Sequence, residues 1–279
     1  MSKFYTDVVC LVDYIFERGI ENGIPFEERH AYKPTLYIPT TCNTDWRTLD
    51  DKLVGPIQWG SIKETRASIK KYAGVENMKI YGNTNFKNTF IADTYPEAID
   101  YKLEHLKIMF IDIEVGSEHG FPNPENAHEE VTAITIKIND DIQVWGCSDF
   151  NNTQENITYN KCGDERQLLE QFVMYWQQNC PHVITGWNTK TFDTPYLVNR
   201  IRGELGPAWV KKLSPWGFVK EQKIFGMGGK EVQTYEIYGV SEIDYLDAYG
   251  KFTYTNQESY RLDHIAYVEL GETKLDFSE

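Results

Sequence analysis

The chain has 279 residues with 28 Lys and Arg against 42 Asp and Glu, a net charge of −14. An apolar fraction of 41% and an aromatic fraction of 14% supply material for real cores and exclude intrinsic disorder. The acidic balance argues against a protein that coats duplex nucleic acid, which needs Lys and Arg against phosphates, and leaves open an enzyme that holds a short strand through divalent metals.

The length suits two domains. No run of about 18 apolar residues occurs, so no membrane partner is expected. The N-terminus, Met1 to Asp7, lacks the basic stretch and apolar segment of a signal peptide, which points to the cytoplasm. Cys10, Cys42, Cys147, Cys162 and Cys180 form no C-x-x-C pair, and the six histidines form no H-E-x-x-H. Structural zinc and a disulfide framework are therefore disfavoured.

Residues 1–105 carry mixed, weakly periodic signals. The clearest are a strand at Thr35 to Pro39 and a helix from about Ile62 to Lys71 that ends near Gly74. A boundary is expected near Leu106, where the pattern sharpens. Ile108-Met109-Phe110-Ile111 is a continuous apolar run, as expected of a strand buried on both faces. A Gly- and Pro-rich loop follows from Gly116 to Pro124. Val131 to Ile138 alternates, Asn139 to Asp141 turns, and Ile142 to Trp145 resumes, which reads as a hairpin. Asp164 and Gln167 resemble a capping box opening a helix with Leu168, Leu169, Phe172, Val173 and Trp176 on one face. Val183 to Trp187 reads as a short buried strand. A second helix is expected with Thr194 as cap and Pro195 as its first residue. The Gly226 to Gly229 cluster lacks the Lys-Ser/Thr pair of a phosphate loop and precedes strand-like sequence, so a hairpin turn is expected. This order of elements implies an α/β domain with a mixed sheet, whose function lies at strand ends.

Asp112-Ile113-Glu114 is expected at the end of the first strand. Residues two apart on a strand face the same way, about 7 Å apart, which suits two carboxylates to a divalent metal. Alone, the pattern is a weak signal in so acidic a chain. A second constellation lies in Gly186-Trp187-Asn188-Thr189-Lys190-Thr191-Phe192-Asp193-Thr194-Pro195-Tyr196, with an Asn and an Asp between a strand and a helix.

F-I-D-I-E paired with G-W-N-x-x-x-F-D-x-P-Y resembles the first two exonuclease motifs of B-family DNA polymerases. The resemblance extends to Ser117-x-x-Gly120-Phe121-Pro122-x-Pro124 and to Thr255-Asn256-Gln257-x-Ser259-Tyr260-x-Leu262-Asp263. Phe4-Tyr5 and Ile15-Phe16-Glu17-Arg18 are similar to the start of the T-even-type bacteriophage enzymes. It implies a ribonuclease-H-like, DnaQ-type exonuclease domain with a mixed sheet at 106–279, incomplete at its C-terminal end. A smaller α+β N-terminal domain at 1–105 precedes it.

The function implied is the proofreading part of a replicative polymerase without the polymerase site, acting in the host cytoplasm. Two Mg²⁺ or Mn²⁺ ions, roughly 3.5–4 Å apart in such sites, would be held by Asp112, Glu114 and Asp193. On the same resemblance Asp112 bridges both ions, Glu114 binds the ion that activates water and Asp193 supports the second. Asn188, Phe121 and Phe192 are the implied substrate-binding residues, with Asn188 orienting the site and Phe121 stacking on a frayed strand end. The implied partners are a single-stranded DNA 3′ end or primer-template. RNA at the N-terminal domain and a complementary polymerase chain are further candidates.

One part of the family pattern is missing. Its third motif, Y-x-x-x-D, supplies a tyrosine and a fourth carboxylate, yet no tyrosine here has Asp four residues on. Tyr72, Tyr238 and Tyr254 have Glu there, outside the family's context. The expectation is a truncated or split chain with weak nuclease activity of its own, or a nucleic-acid-binding or assembly fragment.

Overall fold

The computed structural model describes residues 2–76, 78–118, 120–226 and 229–273. These divide into two compact units, Met1–His105 and Leu106–Glu279.

The first unit opens with an antiparallel meander of β1 (Lys3–Leu11), β2 (Tyr14–Glu21) and β3 (Ile24–His30). Asn22 and Gly23 both take positive φ, 54° and 82°, as a two-residue hairpin turn requires. Periodicity in the sequence misses this meander. The reason is chemical: β2 buries Glu17 and Arg18 at 0% and 4% exposure, so polar letters occupy core positions. β4 (Thr35–Pro39) pairs antiparallel with β5 (Val54–Gln58). α1 (Ile62–Tyr72) starts where the Ser61 hydroxyl accepts from the Glu64 N–H, a side-chain cap of the usual type. α2 (Phe86–Thr94) completes the unit. Val8, Ile15, Leu36, Ile62, Phe86 and Phe90 form its core.

The second unit is built on a mixed sheet. Its strands are β6 (Ile108–Val115), β7 (Val131–Ile138), β8 (Asp141–Gly146) and β9 (Ile157–Lys161). After α3 (Glu165–Gln178) come β10 (Val183–Gly186), α4 (Asp193–Glu204) and α5 (Pro207–Lys211). β11 (Val219–Phe225) and β12 (Glu231–Ile237) form a separate hairpin, and β13 (Ser241–Asp244) returns to the sheet. α6 (Tyr245–Phe252) and α7 (Leu262–Leu270) follow. The six strands lie in the order β13-β10-β6-β7-β8-β9. β6 runs parallel to β10 and antiparallel to β7, so the sheet is mixed, as the order of elements implies.

One face of the sheet packs on α3 and α4. Met109, Ile111 and Ile113 of β6 meet Leu168, Phe172 and Trp176 of α3 and Leu197, Val198 and Ile201 of α4 in one core. Each such side chain contributes about 1.5–3 kcal/mol by leaving water. The α3 reading holds in detail: Asp164 Oδ1 accepts from Gln167 N at 2.8 Å. The Gln167 side chain reaches back to Gly163 N at 2.6 Å, one residue before the cap. An Arg200–Glu165 pair clamps α4 to α3, with Nε–Oε1 at 2.7 Å and Nη2–Oε2 at 2.5 Å.

Two expectations need correction. β6 is buried on one face only: Phe110 is 51% exposed and Asp112 and Glu114 are exposed with it. The apolar run hides this because Phe110 occupies the open face as a hydrophobic residue. Asp112 and Glu114 lie in the last four residues of β6, at the end of the strand as expected. Finally, α4 begins at Asp193 with Phe192 at the cap, so Pro195 is its third residue, still among the N–H groups a helix leaves unpaired. The expected turn at Gly226 to Gly229 joins β11 and β12, with Gly226 N donating to Lys230 O at 2.9 Å; Met227 and Gly228 lie outside the described residues.

Candidate active site

The site forms where β6 outruns its parallel neighbour. Pairing between β6 and β10 ends at Phe110↔Thr185. Further along, the Ile113 N–H is taken by the Asp193 carboxylate, with Oδ1 at 3.1 Å. Asp193 thus replaces a missing strand partner and is carried from the second motif to the first. Ile113 lies between Asp112 and Glu114, whose side chains share the exposed face of β6. The three carboxylates named from sequence are in this way brought to one end of the sheet.

Chain geometry enforces the approach. A Cβ at Gly186 would lie 2.5 Å from Ile111 O and 2.6 Å from Thr189 Cγ2, so only glycine lets β10 pass this close to β6. Asn188 then takes φ +66°, a region tolerated best by Gly, Asn and Asp. Its side-chain oxygen accepts from the Thr191 hydroxyl, and its carbonyl accepts from Thr191 N at 3.2 Å and Phe192 N at 3.1 Å. Asn188 is thereby engaged in shaping the loop.

Burial dominates the electrostatics. It pushes the Asp193 carboxyl up to about 7, reinforced by the Asp112 charge and opposed by the Ile113 N–H. Asp193 is 4% exposed. A carboxylate held there has a bound cation as its natural counter-charge. Oxygen-only donors of this kind suit Mg²⁺ or Mn²⁺. Among the described residues, the one group of three His, Cys, Asp or Glu ligand atoms within 4.8 Å of one another is a mixed nitrogen and oxygen set, Glu17, Glu28 and His30, in the first unit. The Glu17 group is satisfied otherwise: His30 Nε2 lies 2.8 Å from Glu17 Oε2, and the Tyr95 hydroxyl donates to Oε1.

Phe121 is 88% exposed, its ring centroid 6.2 Å from that of Phe192. Phe192 in turn lies 5.6 Å from Tyr196. The aromatic ledge therefore adjoins the residue that caps α4 and precedes Asp193. Beside the carboxylates, Phe110, Asp112, Lys137, Thr185, Trp187 and Tyr245 contribute to a pocket of about 330 Å³ on the open face.

Two carboxylates on β13 are not among the candidate site residues named from sequence: Glu242 is set aside there as the residue four after Tyr238, and Asp244 is not singled out. Glu242 accepts from the Thr194 hydroxyl at 2.7 Å, and burial pushes it up to about 7 against the pull of the Thr194 and Thr189 hydroxyls. Asp244 is 2% exposed and caps α6. The available signal was an Asp between a β-rich run and an apolar helical segment, Tyr245-Leu246, as at a helix start.

The family model described as DNA polymerase family B, exonuclease domain, matches residues 43–265 and so extends into both units. The chain is 32% identical to a DNA-directed DNA polymerase of Escherichia phage RB69 and 31% identical to that of Enterobacteria phage T4. Each comparison covers 99% of this chain and 34% of the relative. A DNA polymerase catalytic subunit of Psittacid herpesvirus 1 is 25% identical over 99% of this chain and 26% of its own length. The chain thus spans about a third of the length of the phage relatives it matches. On the extent of the family match, this chain belongs to the B-family DNA polymerases, within their exonuclease-domain family.

Proposed function

We propose that the second unit binds the 3′ end of a DNA strand and hydrolyses its terminal phosphodiester, as the proofreading part of a replicative polymerase. The observation that carries this is Asp193 standing on the Ile113 N–H between the outward-facing Asp112 and Glu114. In this reading the sheet is of the ribonuclease-H-like, DnaQ type. Asp112, Glu114 and Asp193 would hold Mg²⁺ or Mn²⁺, which when bound activates water and stabilises the leaving 3′ oxygen. The chain's own residues do the rest. Phe121, resting on Phe192, offers an exposed face to a terminal base, and such stacking contributes about 1–3 kcal/mol without reading sequence. Asn188 keeps the loop before Asp193 in its turn.

The test is Mn²⁺ binding together with trimming of a 5′-labelled single-stranded oligonucleotide. Expected are metal binding that weakens at least tenfold in Asp112→Ala and in Asp193→Ala, and slow shortening from the 3′ end that both changes abolish. Metal affinity unchanged by either substitution would refute the reading.

A second reading concerns the first unit. Tyr37, Trp46 and Tyr81 line a pocket of about 490 Å³ together with Arg47 and Lys79. Trp46 is 53% exposed, with its ring 4.9 Å from that of Tyr37. Aromatic faces beside cationic side chains suit single-stranded RNA. Weaker binding of a labelled single-stranded RNA by Trp46→Ala, with the fold unchanged, is the expected outcome.

A further inference from the structure

The loop that delivers Asp193 is held by a side chain from another strand. Asp244 Oδ1 accepts from Asn188 N at 3.0 Å, and Oδ2 accepts from Lys190 N at 3.0 Å. Oδ1 also accepts from Leu246 N at 2.9 Å, which is the cap of α6. A helix cap explains that last bond alone. The other two reach residues 56 and 54 positions away in sequence. They fix the two backbone amides that flank Thr189, whose carbonyl accepts from Thr194 N at 2.9 Å. The side chain is 2% exposed, and the Lys190 ammonium pairs with Asp247 at 3.5 Å. The Asp244 charge is thus spent on backbone N–H groups. Bonds from N–H to a buried carboxylate are among the stronger ones a protein makes.

We propose that Asp244 is a positioning residue for the nuclease site. It clamps residues 188–190 so that the first turn of α4 presents Asp193 to the Ile113 N–H and to the metal. β13 lies beside β10 with Asp244 opposite Gly186, so the clamp sits where β10 gives way to the loop. The geometric part stands by itself, while its consequence for metal binding rests on the function proposed above.

Asp244→Ser separates the clamp from the cap. Serine is a good helix cap but too short to hold both loop amides. Expected is a folded chain whose Mn²⁺ affinity falls about 10–100-fold, the usual effect of removing a group that orients a ligand. The Ile113 amide resonance should also move in the direction produced by Asp193→Asn. Asp244→Asn, equal in size, places an amide donor against one of the loop N–H groups and should shift both readouts the same way.

A folded Asp244→Ser or Asp244→Asn chain with wild-type Mn²⁺ affinity and an unmoved Ile113 amide overturns the proposal, leaving Asp244 as a cap. If Asp112→Ala and Asp193→Ala bind Mn²⁺ like the wild type while Asp244→Ser still moves Ile113, the positioning role survives and the metal reading falls.

Discussion

At the scale of single residues, polar groups out of water decide most of what can be measured. Glu17 is fully buried and satisfied by His30 and Tyr95. Burial followed by the bond to Glu17 drives the Tyr95 hydroxyl far above its ordinary range, so it remains a donor. Tyr95→Phe leaves one buried carboxylate oxygen without that donor and should cost about 1–3 kcal/mol in denaturant unfolding. Glu242 gives a pH signature. Its folded pKa of about 7 exceeds the unfolded value of about 4.3. Between these values the native state binds more protons, so this residue's contribution is fully present at low pH and is lost as pH rises from about 4 to about 7. Glu242→Gln should therefore flatten the fall in stability over that window and stabilise the chain by roughly 1–3 kcal/mol at pH 8. Asp193, also raised to about 7, maintains its own share of the slope in the variant. A thermal-melting series from pH 4 to pH 8 checks both.

At the scale of elements, the joints matter more than the elements themselves. Arg200 pairs with Glu165, and its Nη1 donates to Ala127 O and His128 O, both at 3.1 Å. It thus ties α4 to α3 and to the segment before β7. Arg200→Ala strands a nearly buried carboxylate and should cost about 3 kcal/mol. Arg200→Lys should recover little, because an ammonium cannot reproduce the fork. Gly186 is the second joint. Gly186→Ala must push β10 away from the Ile111 carbonyl, and such overpacking typically costs about 1–3 kcal/mol. Weakened Mn²⁺ binding should accompany the loss of stability, since the same strand end launches the loop to Asp193. α3 was readable from sequence because its apolar stripe and cap lie within one stretch of chain. The start of α4 was misread because a Thr-Pro pair imitates a cap two residues too late.

At the scale of the whole molecule, each unit has its own core, and the two cores share no residue. Calorimetry should distinguish them: Ile62→Ala should destabilise the first unit and Phe172→Ala the second, by about 2–5 kcal/mol each. Among the described residues no helix is long and apolar enough to cross a membrane.

Local sequence patterns were enough to specify the strands with clear alternation, such as β7, the amphipathic α3, and the residue types of the two acidic motifs. These signals are local, since a period, a cap or a pair of carboxylates two apart survives without the rest of the chain. Contacts between distant segments were needed to set Asp193 on the Ile113 N–H, to leave β6 open on the side of Asp112 and Glu114, and to bring Asp244 to the amides of Asn188 and Lys190. The meander of β1 to β3, where buried charges break the alternation, likewise emerges only on pairing. All of these depend on which strand lies beside which, and pairing between distant segments leaves no periodic trace in either one.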